Sequence, residues 1–370
     1  MKHAPAVQDL SCIVLERIQK EYADLIASSQ TFSLEELFDS DRVHLQDFCR
    51  EFSPHPHSAE LRTKAKSFGE KYGIWLSNAN HHISCALFLY PTAQIDRMLT
   101  MMNNLTIGFY LNDIMGRDTF KFLPKTQKEI SSCMIQRMAG VDEILKIPPG
   151  AHPIEIANIE ILREFKDHSP GQWFRKFLKL YCHHLNITHQ DGDSSAQGII
   201  PKVNDYMIRR CHLGGVHHIV HWIEFSESKF MDWDFLKANN ISDKLKRLHW
   251  VIAAFAGMSN DLFSFEKEVI DSCSDSNLVM IIALNNPALT FTETILHASE
   301  IVRSLLCELM ILLESIKQDI EKVQQKSPEI SKILYTHLSS IVHCVQAIWM
   351  WHVYTKRYKR PHSIWKETIL

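Results

Sequence analysis

Apolar residues recur at intervals of three and four positions along almost the whole chain, and no segment alternates regularly between apolar and polar residues. The first pattern places apolar side chains on one face of an α-helix, whereas regular alternation is typical of a half-buried strand. The sequence therefore predicts an all-α protein. We expect helices over residues 61–89, 93–115, 127–145, 153–165, 171–185, 203–212, 216–225, 242–268, 277–284, 291–324 and 329–358.

The breaks between these segments contain residues typical of loops. They are the Pro-His-Pro sequence at 54–56, the Pro-Pro-Gly sequence at 148–150, a polar stretch at 186–201 and a serine-rich stretch at 271–276. Proline and glycine mark turns, and clusters of small polar residues mark loops. No break is long enough to separate two hydrophobic cores, and the sequence contains no internal repeat. We predict one helical domain over residues 51–370, with residues 1–50 as a helical N-terminal extension packed on it.

Composition limits the classes of partner. The chain is 45% hydrophobic and 22% charged, which is ordinary for a globular protein with a large core. A net charge of −3 gives no argument for binding to nucleic acid or to an anionic membrane surface. The short apolar run at residues 12–15 is too short for a signal peptide, and no window resembles a membrane span. We therefore expect a cytoplasmic protein without integral membrane association.

Cysteine and histidine raise a second question, because the chain has nine cysteines and 21 histidines. The cysteines form no C-x-x-C pair, so we expect reduced thiols in a reducing compartment. Histidine pairs at 81–82, 183–184 and 217–218 suggest a zinc protein as one hypothesis. No H-E-x-x-H sequence and no Cys/His ligand cluster supports it. Core or surface histidines are the favoured interpretation.

The strongest chemical signal lies at residues 260–268, where Asn260, Ser264 and Glu268 are spaced four residues apart. On one α-helix these three side chains span about 80° of arc, so an amide oxygen, a hydroxyl group and a carboxylate point the same way. Hard oxygen ligands of this kind suit Mg²⁺, which also keeps water and phosphate oxygens in its coordination shell. Lys267, beside the last ligand, would add positive charge for a phosphate group.

This segment resembles the second metal motif of the class I terpene synthases, N-D-x-x-S-x-x-K/R-E, at every specified position. The resemblance covers roughly residues 50–360. It implies the single-domain helical bundle of the class I terpenoid synthase type. It also implies an enzyme that uses three Mg²⁺ ions to ionise a prenyl diphosphate and then cyclises the carbocation. Asn260, Ser264 and Glu268 would be metal ligands and catalytic residues.

The aspartate-rich motif of this family, commonly D-D-x-x-D or D-D-x-x-E, lies upstream near the end of a facing helix, and this chain departs from that form. It has Asn112-Asp113, and its next acid is Asp118, five residues after Asp113. The resemblance implies Asp113 as the main catalytic metal ligand, with Asp118 and Asn112 as weaker candidates. Gly116 would end the helix. Phe109, one helical turn before Asp113, is the best-placed aromatic residue for the wall of a substrate cavity.

Two arginines occupy positions that the resemblance makes functional. Class I synthases have a diphosphate-sensing arginine some 45 to 50 residues before the second metal motif, and a glycine follows it at a helix break. Arg210 precedes Asn260 by 50 residues, and Gly214 follows four residues later. A glycine at this helix break would let backbone carbonyl groups of the interrupted helix face the substrate cavity. Arg357-Tyr358 matches an Arg-Tyr pair that hydrogen-bonds the diphosphate in this family, where an arginine fork suits phosphate oxygens.

Several alternatives stay open. A chain-elongating prenyltransferase of the same fold would need a second aspartate-rich motif, which the sequence around Asn260 does not provide. The altered first motif, with Asn112 and Gly116, keeps a non-catalytic helical binding protein under consideration.

Farnesyl diphosphate is the expected substrate, and geranylgeranyl diphosphate is the next. Homodimers occur in the family, so a homodimer is an open expectation. Other aromatic candidates for the cavity wall are Trp75, Phe255, Trp349 and Trp351.

Overall fold

The computed structural model describes residues 6–115, 122–189 and 192–370. Within these ranges the chain forms helices and no β-strand, with three isolated β-bridges only, which confirms the all-α prediction. The α-helices are α1 (Val7–Ala27), α2 (Leu34–Phe38), α3 (Leu45–Phe48), α4 (Ser58–Lys71), α5 (Ala79–Leu89), α6 (Ile95–Met115), α7 (Lys125–Ala139), α8 (Pro153–Asp167), α9 (Gly171–Thr188), α10 (Ser194–Gln197), α11 (Val203–Leu213), α12 (Val216–Ser226), α13 (Trp233–Ala238), α14 (Ser242–Phe263), α15 (Leu278–Asn285), α16 (Phe291–Gln324) and α17 (Pro328–Tyr354). A π-helical turn spans Glu266–Asp271, and 3-10 turns span Lys356–Tyr358 and Lys366–Thr368.

Helix α14 lies at the centre of the bundle. It contacts α11, α12, α16 and α17, and its residues 251–255 are all fully buried. A helix that is apolar on every side is stable only when other helices cover it on every side. The remaining walls come from α5, α6 and α9, since α5 packs on both α6 and α17 and α9 packs on α11 and α12. None of the helices in the described ranges is long and apolar enough to cross a membrane.

Four of the predicted helices differ from the structure by a break or by more than three residues, each for a local reason. The segment 61–89 is two helices, because Gly73 follows α4 with φ of +66°, a left-handed conformation that ends a helix. The segment 127–145 stops at Ala139, before Gly140. The segment 242–268 is α-helical only to Phe263 and then leads into the π-helical turn. The segment 329–358 ends at Tyr354, because the Thr355 hydroxyl group accepts a hydrogen bond from Arg357 N and starts a new turn.

The first helix and the last residues of the chain meet at one buried carboxylate. Glu266, 2% exposed, accepts hydrogen bonds from the hydroxyl group of Tyr22 (3.0 Å), from the Ser363 hydroxyl group (2.7 Å) and from Ile364 N (3.0 Å). Burial, together with the charge of Glu266, raises the pKa of Tyr22 to about 12, so the phenol stays a donor. These bonds join residues 1–50 to the main body, although a domain boundary at residue 50 stays a prediction.

Replacement of this carboxylate tests its importance for stability. Glu266→Ala leaves two hydroxyl groups and one backbone N–H without their acceptor, and each buried unpaired group costs about 1–3 kcal/mol. We expect the free energy of unfolding to fall by about 3 kcal/mol or more, measured by chemical denaturation. The control is Glu321→Ala at an exposed position on α16. This substitution should change the free energy of unfolding by less than about 0.5 kcal/mol. Equal effects of the two substitutions would contradict the assignment.

Candidate active site

Two adjoining cavities open between α5, α6, α11, α14 and α17. The inner cavity has a volume of about 250 Å³ and is lined largely by apolar side chains such as Leu105, Ile219 and Ile252. The outer cavity has a volume of about 650 Å³ and is lined mostly by polar residues. The two share Asn112, Lys267 and Arg357 in their walls. A molecule with a charged head and an apolar tail would therefore place its head near these shared residues and its tail in the inner cavity.

A buried ion pair positions one side of the junction between the cavities. Nε of Arg210 donates to Oδ1 of Asp261 at 2.7 Å, and Nη2 donates to Oδ1 of Asn260 at 2.7 Å. Asp261 is fully buried and also accepts from the Tyr206 hydroxyl group at 2.5 Å and from Leu278 N at 2.8 Å. One carboxylate therefore ties α11, α14 and α15 together, and it fixes the orientation of the arginine.

Glycines provide the space for this arginine. A Cβ atom on Gly214 would lie 3.1 Å from Nη1 of Arg210, and one on Gly257 would lie 3.3 Å from its Cγ. The helix break after Leu213 uses both Gly214 and Gly215. Only Gly215 has a positive φ, of +68°, and a Cβ there would lie 2.7 Å from Cε1 of His218. The position whose backbone conformation requires glycine is therefore Gly215. Gly214, the glycine predicted from the sequence, instead leaves space for the Arg210 guanidinium group.

The predicted metal ligands at 260–268 follow one continuous helical path. Ser264 N donates to Asn260 O and Glu268 N donates to Ser264 O, both at 2.8 Å, so the spacing of four residues is kept. Glu268, 7% exposed, accepts from Nδ2 of Asn277 at 3.2 Å. Asn260 and Glu268 line the inner cavity, whereas Ser264 lines neither cavity. π-Helical turns, like the one that contains Glu268, are rare and are frequent at functional sites.

Two consecutive residues connect this segment to the first predicted motif. The Tyr358 hydroxyl group accepts a hydrogen bond from Nδ2 of Asn260 at 2.8 Å. Arg357 lies with Nη1 3.5 Å from Oδ1 of Asp113, and the same Nη1 donates to Nε2 of His82 at 2.6 Å. Because an arginine can only donate, Nε2 of His82 is the acceptor and its proton is on Nδ1, 3.5 Å from Oδ2 of Asp113. The structure thus brings both predicted motifs to one site.

The electrostatics keep Asp113 ionised. Burial alone would raise its pKa, but the Arg357 guanidinium and then His82 outweigh burial and hold the pKa below the usual 3.8. Asn78 and Asn112 also donate to this carboxylate, at 3.3 and 3.1 Å. Burial, followed by the nearby Arg357, lowers the pKa of His82 to about 4, so His82 is neutral near pH 7. The outer cavity therefore has a permanent carboxylate that contacts a cation before any ligand binds.

Not every candidate lies in the cavity wall. Phe109 and Trp351 line the inner cavity, and the Phe109 ring stacks on His82 with 4.7 Å between ring centroids. The other three aromatic candidates, Trp75, Phe255 and Trp349, lie in neither wall. Asp118 and Gly116 fall outside the described residues.

Several side chains of the site were not predicted from the sequence. Asp261 is a specified position of the motif, and that match was the available signal. Asn277 and His352 gave no signal, and His82 was noted only as one of a histidine pair. Only the fold brings these side chains to Glu268, Asn260 and Arg357 respectively. His352 contacts Nδ2 of Asn260 through Nε2 at 3.0 Å.

The oxygen donors fit a hard metal ion such as Mg²⁺. The Ser264 hydroxyl oxygen is buried and has no hydrogen-bond partner among the described residues, as expected for a ligand atom. Oδ1 of Asn260 has a second lone pair besides the one that Arg210 uses. Within the described ranges no three His, Cys, Asp or Glu side chains are placed to hold a metal ion. The candidate set is instead an amide, a hydroxyl group and a carboxylate.

Comparison with known families agrees with this geometry. The family model described as "Terpene synthase family 2, C-terminal metal binding" matches residues 104–308, more than half of the chain. The chain belongs to the terpene synthase family. The matched region contains Asp113, Arg210 and the 260–268 segment, so the family resemblance drawn from the sequence is confirmed. No curated protein sequence matches the chain.

Solved structures of terpene synthases share the fold of this terpene synthase. The a-eudesmol synthase structure has a TM-score of 0.65 at 16% identity, covering 82% of this chain and 96% of that one. Linalool/nerolidol synthase from Streptomyces clavuligerus has a TM-score of 0.65 at 13% identity, covering 82% and 99%. Germacradien-4-ol synthase from Streptomyces citricolor has a TM-score of 0.62 at 12% identity, covering 80% and 96%. These similarities show a common helical bundle.

The buried ion pair gives a testable prediction. Asp261→Asn keeps the shape of the side chain but removes the charge that compensates the buried Arg210, so we expect a loss of about 3 kcal/mol in the free energy of unfolding. Chemical denaturation followed by circular dichroism measures it. The exposed Asp24→Asn on α1 serves as the control and should change stability by less than about 0.5 kcal/mol. An unchanged denaturation midpoint for Asp261→Asn would show that the charge of Asp261 is not required.

Buried histidines predict acid sensitivity of the terpene synthase. Burial lowers the pKa of His184 to about 4 and of His221 and His337 to about 3. A folded-state pKa below the usual 6.5 gives stability that is complete above pH 6.5 and is lost as the pH falls toward 4. Burial raises the pKa of Glu224 from 4.5 to about 7. Between pH 7 and pH 4.5 this group therefore has the opposite effect, because its contribution to stability increases as the pH falls. We expect the histidines, which outnumber it, to dominate.

The measurement is the melting temperature between about pH 7.5 and pH 4.5. It should fall steadily below pH 6.5, and a His184→Gln variant should show a shallower slope because glutamine does not titrate. A melting temperature independent of pH over this range would contradict the prediction.

Proposed function

We propose that this chain is a Mg²⁺-dependent class I terpene cyclase, a carbon–oxygen lyase, that ionises a prenyl diphosphate and cyclises the resulting carbocation. The observation that supports it most strongly is the junction of a polar outer cavity with an apolar inner one, lined by Lys267 and Arg357. Such a junction fits an anionic head on a hydrocarbon tail. Farnesyl diphosphate is the proposed substrate, followed by geranylgeranyl diphosphate.

Oxygen ligands on the two sides of the junction would hold the metal ions. Asn260, Ser264 and Glu268 would bind on one side and Asp113 on the other, with Asp118 as a further proposed ligand. Mg²⁺ bound by these residues would supply positive charge to neutralise the charge that develops on the departing diphosphate. The binding of three ions and a homodimeric assembly both stay predictions. The ionised state of Asp113 supports its proposed role, since only a carboxylate binds the metal.

Basic side chains would complete the binding of the diphosphate. Asp261 accepts a hydrogen bond from Nε of Arg210 and fixes the orientation of its guanidinium group before any ligand binds. Arg357 and Tyr358 contact Asp113 and Asn260 respectively, and an arriving metal–diphosphate unit would compete for these contacts. Lys267 lines both cavities and would add a further positive charge. Donors that are fixed before the reaction stabilise a leaving anion at little reorganisation cost.

The inner cavity would control the fate of the carbocation. Its apolar wall excludes bulk water, which would otherwise capture the cation at once. The faces of Phe109 and Trp351 would stabilise positive charge by cation–π interaction. No nucleophilic side chain is required, because diphosphate leaves as a stabilised anion.

The test is incubation of the purified protein with geranyl, farnesyl and geranylgeranyl diphosphate, with Mg²⁺ or with EDTA, followed by gas chromatography–mass spectrometry. We expect a cyclic product from one substrate only with Mg²⁺. Asp113→Ala and Asn260→Ala should lower diphosphate release by about 10²-fold or more, since each removes a ligand of the charge-stabilising metal. The exposed Asp205→Ala and Asn204→Ala on α11 are the matched controls and should retain activity.

Other outcomes of this experiment separate the alternatives. A longer prenyl diphosphate formed in the presence of isopentenyl diphosphate would indicate a chain-elongating prenyltransferase. Tight binding of a prenyl diphosphate without release of diphosphate would indicate a non-catalytic binding protein.

A further inference from the structure

Two irregular turns contribute side chains to the junction of the cavities. The π-helical turn Glu266–Asp271 contains Lys267 and Glu268, which line the inner cavity. The last two residues of the 3-10 turn Lys356–Tyr358 line the same cavity. A 3-10 turn has poorer hydrogen-bond geometry than an α-helix, and a π-helical turn is a rare departure from one. The positions of both turns therefore depend on contacts outside their own backbone.

The guanidinium group of Arg360, two residues after the 3-10 turn, connects the two turns. Nη2 of Arg360 donates to Oδ2 of Asp271 at 2.5 Å, and Nε lies 3.6 Å from Oε2 of Glu266. These two carboxylates belong to the first and last residues of the π-helical turn. Glu266 is nearly fully buried, and a buried carboxylate requires a compensating charge. Arg360 supplies that charge and spans the whole π-helical turn.

The π-helical form brings the two carboxylates within reach of one arginine. Around an α-helix, residues five apart are separated by about 140°, at about 100° per residue. In a π-helix the backbone hydrogen bond itself joins residues five apart, so their side chains lie near one face. Glu266 and Asp271 have this spacing. An arginine that contacts both carboxylates therefore favours the π-helical form, in which Lys267 and Glu268 line the inner cavity.

Arg360 is itself held by the last residues of the chain. Its backbone N–H donates to Thr368 O at 3.0 Å, and its carbonyl oxygen accepts from Leu370 N at 3.0 Å. This segment is fixed in turn to the N-terminal extension, because Phe32 N donates to Ile364 O at 2.7 Å. The side chain of Arg360 is only 22% exposed. Its backbone and its guanidinium group are thus both fixed.

We propose that Arg360 is a positioning residue for diphosphate binding, which holds the π-helical turn against the 3-10 turn so that Lys267 and Arg357 face the diphosphate together. This inference rests on the proposed function and adds a residue that lies in the wall of neither cavity. Without the bridge the two turns can shift relative to each other. An arginine fork needs a defined geometry at a phosphate group, so a shift weakens binding although both basic side chains are still present.

The test measures binding of inorganic diphosphate with Mg²⁺ to the purified full-length protein by isothermal titration calorimetry. Diphosphate release from farnesyl diphosphate is measured in parallel. Arg360→Gln removes the charge of the bridge, and we expect the dissociation constant for diphosphate to rise about tenfold, equivalent to about 1.4 kcal/mol. The binding stoichiometry should not change, because unfolding lowers the number of sites whereas misplacement lowers their affinity. Arg360→Lys retains the charge without the planar fork and should recover part of the affinity.

Asp271→Asn tests the same bridge from its other end. The Asp271 side chain is 53% exposed, so this variant keeps the test valid if Arg360→Gln unfolds. It should also weaken diphosphate binding. Because both residues act through one bridge, the double variant should bind no more weakly than Arg360→Gln alone. Circular dichroism and the melting temperature check folding.

Arg247→Gln is the matched control. Arg247 on α14 donates two hydrogen bonds to Glu308 on α16, at 2.6 and 2.8 Å, and lies in the wall of neither cavity. It is an arginine that bridges two elements away from the site. Its replacement should leave the affinity for diphosphate unchanged.

Three results would overturn the proposal. A diphosphate affinity that neither Arg360→Gln nor Asp271→Asn changes would refute the positioning role and leave the proposed function intact. A lower stoichiometry or melting temperature at unchanged affinity would show that Arg360 only stabilises the fold. A wild type that neither binds diphosphate with Mg²⁺ nor releases it from any prenyl diphosphate would refute the proposed function and this inference together.

Discussion

The ion pair between Arg210 and Asp261 is the interaction on which the rest of the site depends. Both side chains are taken out of water, at 8% and 0% exposure, and a buried pair is stable only when every remaining donor and acceptor is also satisfied. The Tyr206 hydroxyl group and Leu278 N donate further hydrogen bonds to the Asp261 carboxylate. The pair therefore fixes α11 against α14 and α15, and with them the distance between the arginine and Asn260.

That constraint would explain how the proposed diphosphate site can be stable before the anion binds. Positive groups gathered in one cavity repel each other unless carboxylates balance them. Asp261 balances Arg210, and Asp113 balances Arg357, so each arginine has a carboxylate beside it. The two pairs differ in a useful way. The first is fully buried and its geometry is fixed, whereas the second lies at the shared wall of the two cavities, where a ligand can reach it.

The sequence predicted what depends on local pattern and missed what depends on packing. Helices follow from apolar spacing, and their ends were misplaced where Gly73 or Thr355 changes the backbone within one turn. The spacing of Asn260, Ser264 and Glu268 is a property of one helix, so it could be seen in the sequence. The link between Asp113 and Arg357 joins residues 244 positions apart, and only a resemblance to a family could suggest it. The histidines around the inner cavity, among them His184 and His218, stood out in the sequence only as adjacent pairs, and the pairs gave no indication of a shared cavity.

Those histidines show why burial and function are connected in this fold. A charged imidazolium in the cavity wall would repel a carbocation at close range, where little water screens the interaction. Burial lowers the pKa of His184 to about 4 and keeps the ring neutral at ordinary pH. The desolvation that is predicted to make the protein sensitive to acid would therefore be the same desolvation that lets polar side chains share a cavity with the proposed carbocation. An acid-resistant variant with exposed, charged histidines at these positions would lose the neutral wall that the proposed chemistry requires.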